Sequence, residues 1–160
     1  MRNVIPHFLR ILLAVPPLLG RQVALGPEGG GGLRLDGRSL TFQPTEAVPG
    51  PPIPGLKDRP VRLKGLLRSP SGKTLALEVL FTREGGLLRL DLHRRSGRVE
   101  VERWAATVKT RITVTAWEPR AGGTVRIRLE GPLSGVVRGM PRATEAHGEI
   151  WSTLQSGPRG

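Results

Sequence analysis

The chain has 160 residues, enough for one domain with a sizeable apolar core. It has no cysteine, which excludes disulfides, thiolate metal sites and a cysteine nucleophile. Its 25 basic residues, 21 of them arginine, stand against 13 acidic ones, and the net charge of +12 attracts polyanions: nucleic acid, anionic lipid or acidic polysaccharide. An arginine-favouring genome composition yields the same charge without any ligand. One asparagine, three glutamines and many prolines fit a thermophilic source.

Residues 1–20 read MRNVIPHFLRILLAVPPLLG. Arg2 and Arg10 precede an apolar run from Ile11 to Leu19, two prolines interrupt it, and Gly20 closes it. This is the pattern of an export signal, and it places the mature protein in the periplasm or outside the cell. A first strand or short helix packed on the core of a cytoplasmic protein is the alternative. The run falls short of the roughly 20 apolar residues that span a bilayer, and no other segment approaches that length. No cysteine in residues 1–30 offers a lipid attachment site.

Gly29 to Gly32 reads as a flexible tether. In the stretch LRLDGRSLTF that follows, Asp36-Gly37 sits between alternating apolar residues and predicts a hairpin with a primed turn. Residues 43–60 hold six prolines and read as extended loop or linker. Residues 21–60 are therefore expected as a Gly/Pro-rich segment with one short hairpin, and residues 61–156 as the main β domain.

From Val61 onward apolar residues alternate: Leu75, Leu77, Val79, Phe81; Leu88, Leu90, Leu92; Val99, Val101; Ile112, Val114, Ala116; Val125, Ile127, Leu129. Each run ends in turn chemistry, so antiparallel strands with one buried face are predicted, and no helix. Charge pairing suggests registers. Val79 opposite Leu88 and Leu90 opposite Val99 put Arg89 between Glu78 and Glu100 on the outer face. Ile112 opposite Leu129 puts Arg111 opposite Glu130. Arg89 is then a structural residue. The bases left over are the candidates for contact with an anion or partner: Arg62, Lys64, Arg68, Arg94, Arg95, Arg126, Arg128, Arg138 and Arg142.

The stretch SPSGKT ends like a phosphate-binding loop, but Leu67 stands where the leading glycine belongs and strand-like LALEVLF follows instead of a helix. It reads as a turn. His7, His93 and His147 share no metal spacing. No serine stands in a nucleophile elbow. Glu100 and Glu102, two apart on one strand, read as a solvated face rather than a glycosidase pair. No cofactor motif is present, and no nucleophile and base pair up, so an enzyme is not expected. Aromatic residues are few. Trp117 and Trp151 are placed opposite the apolar set of their strands, as contact residues or as cover for the core edge.

RITVTAWEPRAGGTVRIRLEGPLSGVV and, further on, GEIWSTL are similar to the closing strands of small exported bacterial β-sandwich proteins of unknown function, with Gly131, Gly135 and Gly148 at their bends. The resemblance covers about 45 residues. It implies export and a non-catalytic character and carries over no functional residue. The expected fold is an antiparallel β-sandwich or flattened β-barrel of about eight strands, with the sandwich favoured because strand lengths vary and glycine bends suit sheet corners. The expected function is a non-catalytic, exported module of the cell envelope that binds an anionic surface polymer or another envelope protein. A cytoplasmic nucleic-acid-binding barrel and a carrier for an apolar ligand are the alternatives.

Overall fold

A computed structural model of the protein describes residues 26–156. The expected export signal, with His7 and Phe8, lies outside the described residues. Nine strands follow one another: β1 (Gly29–Leu35), β2 (Arg38–Pro49), β3 (Val61–Arg68), β4 (Thr74–Phe81), β5 (Leu87–Ser96), β6 (Val99–Ala106), β7 (Arg111–Trp117), β8 (Thr124–Val137) and β9 (Met140–Thr153). No helix occurs among the described residues.

The sandwich expectation is corrected: the sheet closes on itself. β1 to β6 form a meander, β6 pairs with the second half of β8, β8 with β9, and β9 with β1. Eight strands thus make a closed antiparallel barrel, and β7 is an extra strand on the first half of β8. The 14-residue β8 serves two partners because it bends at Gly131, whose φ of 120° is open to glycine. A glycine bend there turns one sheet corner, but Ala106 to Glu102 then lie alongside Leu133 to Val137 and seal the seam. Closure removes the free edges that two separate sheets would leave.

Part of the Gly/Pro-rich segment, from Gly29 to Pro49, also belongs to the sheet, and residues 50–60 form the loop between β2 and β3. The four-glycine run lies in β1, where Gly31 and Gly32 pass so close to β9 and β2 that a Cβ would meet backbone. β2 runs through the prolines to Pro49; Pro44 is accommodated at a bulge between Pro44 and Glu46. Asp36 and Gly37, both at positive φ, form the expected primed turn. SPSGKT is a turn: Ser69 N–H reaches the Lys73 carbonyl at 2.9 Å, Gly72 sits at φ 85°, and β4 follows directly.

One of the three proposed registers stands. Ile112 faces Leu129, Val114 faces Ile127 and Arg111 faces Glu130. The other two are corrected. Val79 faces Leu90 and Leu77 faces Leu92, so Glu78 lies opposite Asp91. Arg89 and Arg103 flank Asp91, each at 3.3 Å, and relieve the like-charge contact. In the β5–β6 hairpin the turn falls at Gly97-Arg98, with Gly97 at φ 63°, and Leu92 faces Trp104. The expected register would have set Trp104 against the β4–β5 turn. Burying an indole against Leu92 is worth about 2–3 kcal/mol, whereas a surface cross-strand charge pair is worth a few tenths. Packing therefore decided the register. Arg89 does lie outside among acids, with Asp91 in place of Glu100.

Trp104, Phe81, Leu35, Leu63, Leu67, Leu75, Leu92, Ile127, Leu129 and Leu133 fill the interior. Outward positions carry Arg62, Lys64, Glu78, Arg89, Arg126 and Arg128. That is the reverse of a membrane-spanning barrel, whose outer band is apolar. Among the described residues no helix is long and apolar enough to cross a membrane.

A basic mouth as candidate functional site

Four tight turns, those of β1–β2, β3–β4, β5–β6 and β8–β9, gather at one end of the barrel. Near that end, among the described residues, stand nine cations (Arg34, Arg38, Arg68, Lys73, Arg94, Arg95, Arg98, Arg138, Arg142) against four carboxylates (Asp36, Glu100, Glu102, Glu145). The loops at the opposite end carry Lys57, Arg59, Arg83, Lys109 and Arg120 against Glu28, Asp58, Glu84 and Glu118, close to balance. Among the described residues most of the excess charge thus lies at one mouth.

The mouth opens into a cleft of about 490 Å³ lined by Asp36, Arg38, Lys73, Arg94, Glu102, Val137, Arg138, Met140 and Arg142. Strand alternation aims Arg38 and Arg94 inward, above the apolar core. At the floor lies Glu102, its side chain 2% exposed. It is held by an ion pair with Arg38, a hydrogen bond from Arg94 Nε at 3.3 Å, and one from Trp104 Nε1 at 2.9 Å. Burial on its own would raise the Glu102 pKa. The hydrogen bonds from Arg38 and Trp104, the Arg38 charge and the Arg94 hydrogen bond outweigh it, and the carboxyl sits below its ordinary value. Arg142 is set by Asp36 Oδ1 at 3.0 Å, and the Asp36 backbone N–H is donated to Thr144 Oγ1 at 3.1 Å.

Lys73 and Arg138 complete the ring, and neither has a carboxylate within ion-pair distance among the described residues. Arg138 holds a left-handed conformation, φ 49°, in the β8–β9 turn ahead of Gly139 at 79°. Asparagine and glycine are the residues that suit this position, so an arginine there is costly in backbone terms.

Of the residues singled out in the sequence, Arg94, Arg138 and Arg142 converge here. Arg68 and Arg95 stand exposed at the same end. Arg62 and Lys64 both turn to Glu46, at 2.8 and 4.0 Å, on the outer wall. Arg126 and Arg128 share Glu149, each at 3.6 Å, with Arg126 also 5.9 Å over the Trp151 ring. Trp151 lies outward against Gly30 of β1. Trp117 does not face outward. A bulge between Val114 and Ala116 turns it onto the core, edge-on to Phe81 with ring centres 6.1 Å apart. His93 lines a charged patch on the outer wall with Arg89, Asp91 and Arg103.

The sequence reading missed Arg38, Lys73, Asp36 and Glu102. Glu100 and Glu102 do not share a face. Two residues of β6 span one step of β5, from Arg94 to Arg95, and this bulge leaves Glu100 outside while Glu102 points in. The available signal was Trp104, two residues on, which by strand alternation carries Glu102 to its own side.

No protein-family model, curated protein or solved structure matches the chain.

Proposed function

We propose that the protein is a non-catalytic binding module of the cell envelope that takes an anionic group of its partner at the basic mouth. The observation that carries this reading is the ring of five cations, Arg38, Lys73, Arg94, Arg138 and Arg142, around one open cleft with only Asp36 and Glu102 to balance them. Two of those cations, Lys73 and Arg138, have no carboxylate partner among the described residues. Arg38 and Arg94, fixed by Glu102, present their remaining N–H groups without having to be ordered on binding. An apolar carrier finds less support, because the site such a ligand would occupy is filled by Trp104 and its leucine neighbours.

Long-chain polyphosphate is a suitable probe. It is expected to bind at low salt with an affinity that falls steeply as salt rises. The Lys73→Ala/Arg138→Ala double variant should weaken it about tenfold or more, since each charge-assisted contact contributes about 1 kcal/mol or more. Arg126→Ala/Arg128→Ala should leave it as it was. Retention that is indifferent to the mouth pair, or no retention at low salt, overturns the proposal. Export is tested separately by sequencing the N-terminus of the natively expressed protein. A soluble cytoplasmic form beginning at Met1 would favour the nucleic-acid alternative.

A further inference from the structure

We propose that the mouth end docks on an anionic bilayer surface, with a lipid phosphate group in the cleft and the tips of two hairpins dipping among the headgroups. This inference rests on the mouth reading above and names the partner. It comes from a second observation at the same rim. Val99, at the start of β6, is 64% exposed, and Met140, at the start of β9, is 67% exposed. Both adjoin the turns of neighbouring hairpins, and those hairpins are tied by the Arg138 N–H to the Val101 carbonyl at 2.9 Å. Two aliphatic side chains therefore stand at the tips of a rigid rim of arginine and lysine.

A soluble polyanion has no use for those tips. A nucleic acid would look for rings to stack on, and no aromatic side chain lines the cleft. A bilayer uses both features. The anionic leaflet draws the cations, each one near the surface strengthening binding about fivefold, and the acyl boundary takes the aliphatic tips. The opposite end also exposes apolar residues, Leu56, Leu88 and Val108, but its loops are close to charge balance. The orientation is thus set by charge, and the far end is an internal control.

Because the chain has no cysteine, single thiols can be placed and labelled with a polarity-sensitive dye. With vesicles of equal parts phosphatidylcholine and phosphatidylglycerol, a label at Val99→Cys is expected to shift to the blue, and one at Val108→Cys, 91% exposed at the far end, is not. Vesicles of phosphatidylcholine alone should shift neither. Val99→Ser should weaken vesicle binding about fivefold, in keeping with about 1 kcal/mol from a partly buried aliphatic group, and leave polyphosphate binding unchanged. Three results overturn the inference while the mouth reading stands: polyphosphate binding without vesicle binding, vesicle binding that moves the Val108 label as much as the Val99 label, and vesicle binding indifferent to Val99→Ser. Failure to bind either probe overturns both.

Discussion

Trp104 donates its indole N–H to Glu102 Oε1 at 2.9 Å, from two positions away on the same inward face of β6. The largest side chain of the core and the one buried carboxylate among the described residues thereby fix each other, and through Glu102 the core holds Arg38 and Arg94 at the mouth.

Glu102→Gln tests this link. It keeps an acceptor for Trp104 but leaves two guanidinium groups without a counter-charge. Breaking a buried pair costs about 3–5 kcal/mol. Arg38 and Arg94 keep 27% and 21% of their side chains in water, so the expected loss is smaller, about 2 kcal/mol in urea unfolding. Inorganic phosphate should restore more stability to this variant than to the parent, because an anion can take the vacated charge. A variant as stable as the parent, or indifferent to phosphate, would show that the carboxylate does not organise the mouth.

Acid should reveal the same group. The unfolded chain protonates Glu102 at its ordinary value of 4.5, the folded chain only at a lower pH. The unfolded state therefore binds more protons in that window, and stability rises with pH there. The contribution is complete above 4.5 and drains as pH falls through the folded value. Urea midpoints of Glu102→Gln across the acid range should lie on a flatter curve than those of the parent; parallel curves would assign the acid sensitivity to other carboxylates.

Gly135→Ala tests barrel closure. A Cβ at this position would press on the Arg103 carbonyl and come within 2.6 Å of Trp104 Cε3, at the seam where β8 meets β6. Overpacking of this kind costs about 1–3 kcal/mol. Amide exchange should accelerate in β6 and the second half of β8 before it does in β3 and β4. A uniform loss of protection would mean that the seam opens only with the whole barrel.

Arg138→Asn separates backbone from side chain. Asparagine suits the left-handed turn better, so stability should hold or rise by about 0.5 kcal/mol. Polyphosphate affinity should fall several-fold, because the free cation is gone. Lower stability with unchanged affinity would make Arg138 a turn residue and nothing more.

The amino-acid sequence by itself determined the features that depend on a few neighbouring residues. Alternation from Val61 onward specified antiparallel strands, Asp36-Gly37 a primed turn, SPSGKT a turn and not a phosphate loop, and the pairing of β7 with the first half of β8. It also supplied Arg94, Arg138 and Arg142 as bases without a local partner. Tertiary structure alone decided the rest. A bulge moves every later side chain to the other face, and the bulges at Pro44, Arg94 and Val114 depend on what lies across the ladder. The β4–β5–β6 registers followed the burial of Trp104, which outweighs the small surface charge terms that local pairing rules count. Closure of β6 on β8 brings Arg38 to Glu102 across 64 positions of chain, and no periodicity within either strand encodes that meeting.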